Sequence, residues 1–235
     1  MAETSAFREA VGGWANGGPG ERARELAGRL GVRTAVLLEG LSDLAAVETL
    51  AARQGRDLAA EGVCVVQMAG AMNVGRYALT LGPPGLGLRL TGLCDIRERP
   101  FYERGFGRAG APADAVFACS DDLEDELVRA LGTARVERAG APADAVFACS
   151  DDLEDELVRA LGTARVEELV HAEGDDRAWQ TFLRQPAQLG RPRPQQLRRF
   201  LGTKKGRKIR YGHLLVEALG PGQVPAPLTH LFASL

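Results

Sequence analysis

Carboxylates set at the ends of apolar runs are the residues of this 235-residue chain best placed to do chemistry. The run Thr34-Ala-Val-Leu-Leu38 passes directly into Glu39-Gly-Leu-Ser-Asp43, and Leu44 to Ala52 then carries amphipathic spacing. That order reads as a buried strand, a tight turn and a helix with Ser42 or Asp43 near its N-cap. A second run, Leu88 to Cys94, ends on Asp95, and a third, Ala115 to Cys119, leads into Ser120-Asp-Asp-Leu-Glu-Asp-Glu126. Open α/β sheets bind ligands outside the carboxyl ends of their strands, so acidic residues there face one crevice. Three such ends point to a bound cation. Each also has a plainer reading. Asp43 caps a helix, Glu39 is a solvated strand end, and Asp121 with Glu124 forms a capping box whose charges complement a helix dipole.

A basic stretch is the second candidate. Nine Lys or Arg residues and no Asp or Glu lie between Arg191 and Arg210. This suits a polyanionic partner, although such a run is also an ordinary solvated face. The chain's three lysines, Lys204, Lys205 and Lys208, fall within five residues, and the other 26 basic residues are Arg. Lysine offers a compact ammonium of tunable pKa, suited to stabilising charge on a phosphoryl group. The alternative is a flexible basic loop.

The elements that must position these groups follow from periodicity. Residues 5–16 have helical spacing in Ala6, Phe7, Ala10, Val11 and Trp14, and Gly17-Gly-Pro-Gly20 breaks that helix. A helix over 21–30 leads into the strand at Thr34. Gly62 to Met68 reads as a strand, Ala71 to Leu81 as a helix and Leu88 to Asp95 as a strand. Further helices are expected over 175–183, 194–201 and 207–219, and Pro221, Pro225 and Pro227 break up the tail. Alternating strands and helices imply an α/β fold with a mostly parallel, doubly wound sheet. The expected segments are N-terminal helices over 1–32, the sheet domain over 33–170 and a helical basic region over 171–235.

Several classes are set aside on composition. Cys64, Cys94, Cys119 and Cys149 sit in apolar runs with no Cys-x-x-Cys spacing, and His171, His213 and His230 are scattered singly. They read as buried hydrophobes of a reducing compartment and give no zinc site. No run approaches 18 apolar residues and no signal pattern opens the chain, so a cytoplasmic protein without membrane spans is expected. There is no Walker A motif, and Gly82-Pro-Pro-Gly-Leu-Gly87 has the glycine order of no dinucleotide fingerprint.

Residues 108–137 and 138–167 are identical over all 30 positions. Diverged repeats keep a pattern and not every residue, so this reads as a recent in-frame tandem duplication or a sequencing artefact, and as no solenoid. Enlarging a surface loop by that length costs only roughly 1–1.5 kcal/mol of closure entropy. The spare copy is expected to loop out or to add a βα unit at a sheet edge. A break at 107–113 loops out the first copy and seats the second.

Glu39-Gly-Leu-Ser-Asp43, the strand ending in Asp95, Ser120-Asp-Asp-Leu-Glu124 and Lys204-Lys-Gly-Arg-Lys-Ile-Arg-Tyr211 together resemble the Toprim domain of overcoming-lysogenisation-defect (OLD) nucleases. The similarity runs from about Arg33 onward and is closest to stand-alone forms without the ABC-type ATPase. The resemblance implies a Rossmann-like Toprim core whose carboxylates hold Mg²⁺ or Mn²⁺ for phosphodiester chemistry. Glu39 and Asp43 match its Glu-x-x-x-Asp motif. Asp95 matches the first residue of Asp-x-Asp, and Glu124 or its duplicate Glu154 matches the acid of the Ser…Leu-Glu element. Lys208, in a Lys-x-x-Tyr-small pattern, best matches the transition-state lysine, with Lys205 the runner-up. Arg97 stands where the family has its second Asp, which removes a ligand and adds positive charge; Glu98 is the substitute one residue further on. Hard oxygen ligands suit Mg²⁺ or Mn²⁺, and two such ions stabilise both oxygens of an in-line displacement.

The expected function is therefore a metal-dependent Toprim nuclease, or a nucleotidyl transferase/hydrolase, acting on DNA. Arg198, Arg199, Lys204, Arg207 and Arg210 are its expected DNA contacts. The alternative is a catalytically weak Toprim module that binds DNA or a separate ATPase subunit as a regulator. Arg97 favours that alternative; Lys208, Glu39 and Asp43 favour the enzyme. A homodimer is compatible with either.

Overall fold

The structure is a computed structural model that describes residues 2–111, 115–118, 145–149 and 153–235. Its elements in chain order are α1 (Ala2–Ala15), α2 (Glu21–Leu30), β1 (Thr34–Leu38), α3 (Leu41–Arg53), β2 (Val63–Gln67), α4 (Val74–Leu81) and β3 (Arg89–Asp95). There follow α5 (Arg99–Arg108), β4 (Ala115–Ala118), β5 (Ala145–Cys149), α6 (Leu153–Leu161), α7 (Thr163–Ala172), α8 (Asp176–Leu183), α9 (Arg193–Leu201), α10 (Lys205–Ala218) and α11 (Ala226–Ser234). Two compact units result, each discontinuous in sequence. Of the described residues, one holds those within 1–39, 58–150 and 226–235, and the other those within 40–57 and 151–225. The segments expected from sequence follow the chain, whereas these units do not.

The first unit is built on a five-stranded sheet in the order β2-β1-β3-β5-β4, with every neighbouring pair parallel. Thr34 lies opposite both Val63 and Arg89, and Leu38 opposite Gln67 and Leu93, so β1 is central to three in-register strands. All five β1 residues are buried, as expected where crossover helices cover both faces of a parallel sheet. Phe7, Val11 and Ala15 recur at i, i+4 and i+8 and form the buried stripe of α1, which packs beside α4. They join a core with Leu26, Val66, Tyr77, Leu81, Tyr102 and Phe106. The sequence-expected α/β class with a parallel sheet is what the chain adopts.

The repeat enters this sheet twice. β5, from the second copy, pairs with β3, with Asp95 opposite Cys149, and β4, from the first copy, pairs outside β5 as the edge strand. The second copy thus takes the place beside β3, and the first extends the sheet instead of looping out.

Helix α11 corrects the reading of the tail. Pro227 occupies the first turn of α11, where a missing N–H removes no helical hydrogen bond, so it starts a helix. Leu228, Leu231 and Phe232 are buried, and the helix packs on β3 and β5. No described helix is long and apolar enough to cross a membrane.

The second unit is helical. Its longest helix, α10, lies against α3 at a point where both backbones nearly touch: a Cβ on Gly212 would come 2.6 Å from the Ser42 carbonyl oxygen. The Thr49 hydroxyl meets His213 Nδ1 at 2.7 Å, and the Arg53 guanidinium donates to the carbonyls of Val216 and, at 2.7 Å, Leu219. Trp179, Phe182 and Phe200 form an aromatic cluster with centroids 5.0–5.8 Å apart.

Candidate metal centre

In the first unit, β1 and β3 are adjacent and parallel, so Glu39, just after β1, and Asp95, the last residue of β3, come to the same sheet edge. The chain then turns at once. The Glu98 N–H donates to the Asp95 carbonyl at 2.9 Å, and Glu98 becomes the N-cap of α5. An i to i+3 turn of this kind swings residue 98 back over residue 95. One carboxylate oxygen from each of Glu39, Asp95 and Glu98 lies within 4.8 Å of the others, and all three residues are half-buried.

Helix α5 is held in place by Tyr102. Its ring is fully buried over Gly92, where a Cβ would come 2.7 Å from Tyr102 Cε1, and its hydroxyl donates to the Leu93 carbonyl at 3.2 Å. A glycine in the middle of β3 therefore lets α5 approach closely enough to bring Glu98 beside Asp95.

Burial pushes the Cys94 thiol well up, and the neighbouring Asp95 and Glu98 charges push it further. That agrees with an inert buried cysteine. It also shows the concentration of negative charge at this edge. Three carboxylates so close repel one another, and a divalent cation offsets the repulsion. An all-oxygen donor set of this kind fits Mg²⁺ or Mn²⁺.

Arg97 is exposed, in the turn between Asp95 and Glu98. Asp43 belongs to the second unit, where its Oδ2 accepts the Gly40 N–H at 2.9 Å. Gly40, and neither Ser42 nor Asp43, is the N-cap of α3, and Asp43 sits at the third helical position. Its capping role is therefore present in the structure. Glu124 lies outside the described residues.

Glu154 is in α6, only 3% exposed, and Lys208 Nζ lies 3.4 Å from its Oε2. Lys205 is the first residue of α10 and Lys204 its N-cap, both exposed. Arg198 and Arg199 line a pocket of about 590 Å³ in the second unit together with Arg191, Glu154 and Lys208.

Arg207 is a correction. It is 8% exposed, so it is not a surface DNA contact. Its guanidinium donates to Asp175 at 3.2 and 3.3 Å and to the Thr203 hydroxyl at 2.5 Å, and lies 4.1 Å from the Phe200 ring centre. Asp175 also accepts from the Tyr211 hydroxyl at 3.2 Å and from Arg210, which lies 3.7 Å from Glu173 as well. Burial works to raise the Asp175 carboxyl, yet the Arg207 hydrogen bond and charge, with Arg210, hold it below the usual carboxylate range. Burial and the Asp175 charge together push the Tyr211 phenol up. Asp175 carried no motif in the sequence; its position at the head of a helix was its only signal.

The Lys-x-x-Tyr-small pattern acquires a physical meaning here. Lys208 faces Glu154, Tyr211 hydrogen-bonds Asp175, and Gly212 admits the Ser42 backbone.

Residues 32–96 match the family model described as the overcoming lysogenization defect protein-like TOPRIM domain. The match contains Glu39, Asp43 and Asp95. The fold is similar to solved C-terminal regions of OLD proteins. That from Xanthomonas campestris pv. campestris, phased with mercury, is 21% identical with a TM-score of 0.54, over 86% of this chain and 94% of that one. That from Burkholderia pseudomallei is 18% identical with a TM-score of 0.51, over 86% of this chain and 95% of that one. Comparison with curated proteins finds no match.

Proposed function

We propose that this chain, whose residues 32–96 form an OLD-like Toprim domain, is a divalent-metal-dependent nuclease or nucleotidyl transferase/hydrolase acting on DNA phosphodiesters. The observation that carries this reading is the convergence of Glu39, Asp95 and Glu98 within 4.8 Å at the carboxyl edge of a parallel sheet. These three side chains would hold Mg²⁺ or Mn²⁺. An ion bound there supplies Lewis-acid stabilisation of phosphoryl charge and a nucleophilic water. Glu39 and Asp95 come from adjacent strands and Glu98 from a turn closed on Asp95, so the donors are held by rigid elements.

The resemblance extends the proposal to the second unit. Asp43 and Glu154, or Glu124, are further metal ligands, and Lys208, with Lys205 as runner-up, steadies charge at phosphorus. Arg198, Arg199, Lys204 and Arg210 contact the DNA backbone, a salt-dependent term common to all sequences. The working location is the cytoplasm. A second reading, a catalytically weak module that binds DNA or a separate ATPase subunit, is favoured by Arg97, an exposed cation beside the carboxylate cluster where the family pattern has an acid.

Plasmid nicking separates the two. Cleavage in Mn²⁺ that stops on adding EDTA and is absent from the Glu39→Gln variant, with thermal unfolding nearly unchanged, is the expected result. Full activity of the Gln variant would overturn the assignment.

A further inference from the structure

We propose that the pocket walled by α8, α9 and α10 in the second unit binds a single unpaired nucleotide of a DNA strand. The inference rests on the DNA-acting reading for the identity of the polymer, and on the pocket itself for the rest. At about 590 Å³ the pocket is of the size that takes a small organic ligand. Arg191, Arg198, Arg199 and Lys208 line it against one carboxylate, Glu154, so it favours an anion.

The second observation concerns Gln188. This residue also lines the pocket, is 2% exposed, and its Oε1 has no hydrogen-bond partner among the described residues. Its backbone is fixed, since its carbonyl accepts Gln196 Nε2 at 2.9 Å and its N–H donates to the Gln185 carbonyl at 2.9 Å. A buried amide oxygen left unsatisfied is costly, and a donor from a ligand would complete it. A carboxamide pairs naturally with a base edge, which offers a donor and an acceptor side by side. Phe182, also at the pocket wall, is buried against Trp179 and Phe200 and gives the pocket a fixed apolar side. Arginines for the phosphate, an amide for the base edge and an apolar wall beside it together describe one nucleotide. The base is unpaired, because a base enters a pocket of this kind only when it is out of the duplex stack.

Binding of DNA hairpins by the full chain in EDTA, followed by fluorescence anisotropy, tests this. A hairpin with a short unpaired overhang should bind about tenfold more tightly than its blunt counterpart, the scale of one base edge read by hydrogen bonds. Gln188→Leu should bring the overhang hairpin down to the blunt one. Gln188→Glu, which keeps the shape but repels an anion, should do the same. Equal affinity of wild type for the two hairpins, or a preference that survives both substitutions, would overturn the proposal. An overhang preference without any cleavage in Mn²⁺ would uphold the pocket and sink the nuclease reading. Nicking without the preference would do the reverse.

Discussion

Glu98 folds back onto Asp95, its N–H donating to the Asp95 carbonyl across 2.9 Å, and the two side chains share one cluster with Glu39. The turn gives the acidic site a third carboxylate at a spacing of three residues, where the family pattern has a spacing of two. Glu98→Gln should therefore weaken Mn²⁺ binding by roughly tenfold or more, at least the effect of losing a supporting partner of a metal ligand. Arg97→Ala, which removes an exposed cation next to the cluster, should leave binding equal or slightly tighter. Isothermal titration calorimetry reads both. Wild-type affinity in the Gln variant would take Glu98 out of the site.

Lys208 is the proposed charge-stabilising group. Lys208→Ala should slow single-turnover cleavage by about 10²–10³, as for loss of one preorganised donor. Affinity for DNA should change less, because other basic residues of the 191–210 stretch remain. A pure affinity loss with a normal single-turnover rate would make Lys208 a simple phosphate contact.

Asp175 should make the second unit less stable in acid. Its folded pKa lies below the unfolded value of about 3.9, so its contribution is present above that pH and is lost as pH falls through the folded value. Asp175→Asn leaves Arg207 buried without its counter-charge, at a cost of about 3 kcal/mol near neutral pH. Urea unfolding at neutral and strongly acid pH should show that gap closing in acid. A gap that is independent of pH would mean that the charge of Asp175 contributes nothing.

Gly212 offers a test in which two effects have opposite signs. Helix propensity alone favours Ala over Gly by about 1 kcal/mol. A Cβ there would meet the Ser42 carbonyl oxygen at 2.6 Å, and crowding of this kind costs about 1–3 kcal/mol. Gly212→Ala should therefore destabilise the protein in chemical denaturation. A stabilised variant would show that α3 and α10 do not approach as closely as described.

Deleting residues 108–137 tests the repeat. Because the copies are identical, the junction from Gly107 to Arg138 reproduces the original residue order, and β5 keeps its pairing with β3 while edge strand β4 is lost. The shortened protein should fold with equal or higher thermal stability and should still nick DNA. Glu154→Gln in either background should lower activity, whereas Glu124→Gln in the full chain should be nearly silent. A deletion variant that fails to fold would mean that the edge strand is structural.

The amino-acid sequence by itself determined the parallel α/β class, the carboxylates at the ends of β1 and β3, and the hard-oxygen character of any metal site. It also marked the Lys-x-x-Tyr-small pattern on α10. These are local properties: apolar runs of strand length, turn residues beside them and the types of residue at their ends. Tertiary structure alone decided the rest. Arg207 was indistinguishable in sequence from its basic neighbours, and only packing against Phe200 and pairing with Asp175, 32 residues away, buried it. The tail prolines gave no sign that α11 would cover β3 and β5. The permissive break at 107–113 already favoured the second copy for the place beside β3, and only the sheet showed that the first copy adds an edge strand instead of looping out. Glu98 joined Glu39 because neighbouring strands set one end of the site and a Gly92–Tyr102 contact set the other. Such meetings arise between residues far apart in the chain, where neither periodicity nor capping leaves a trace.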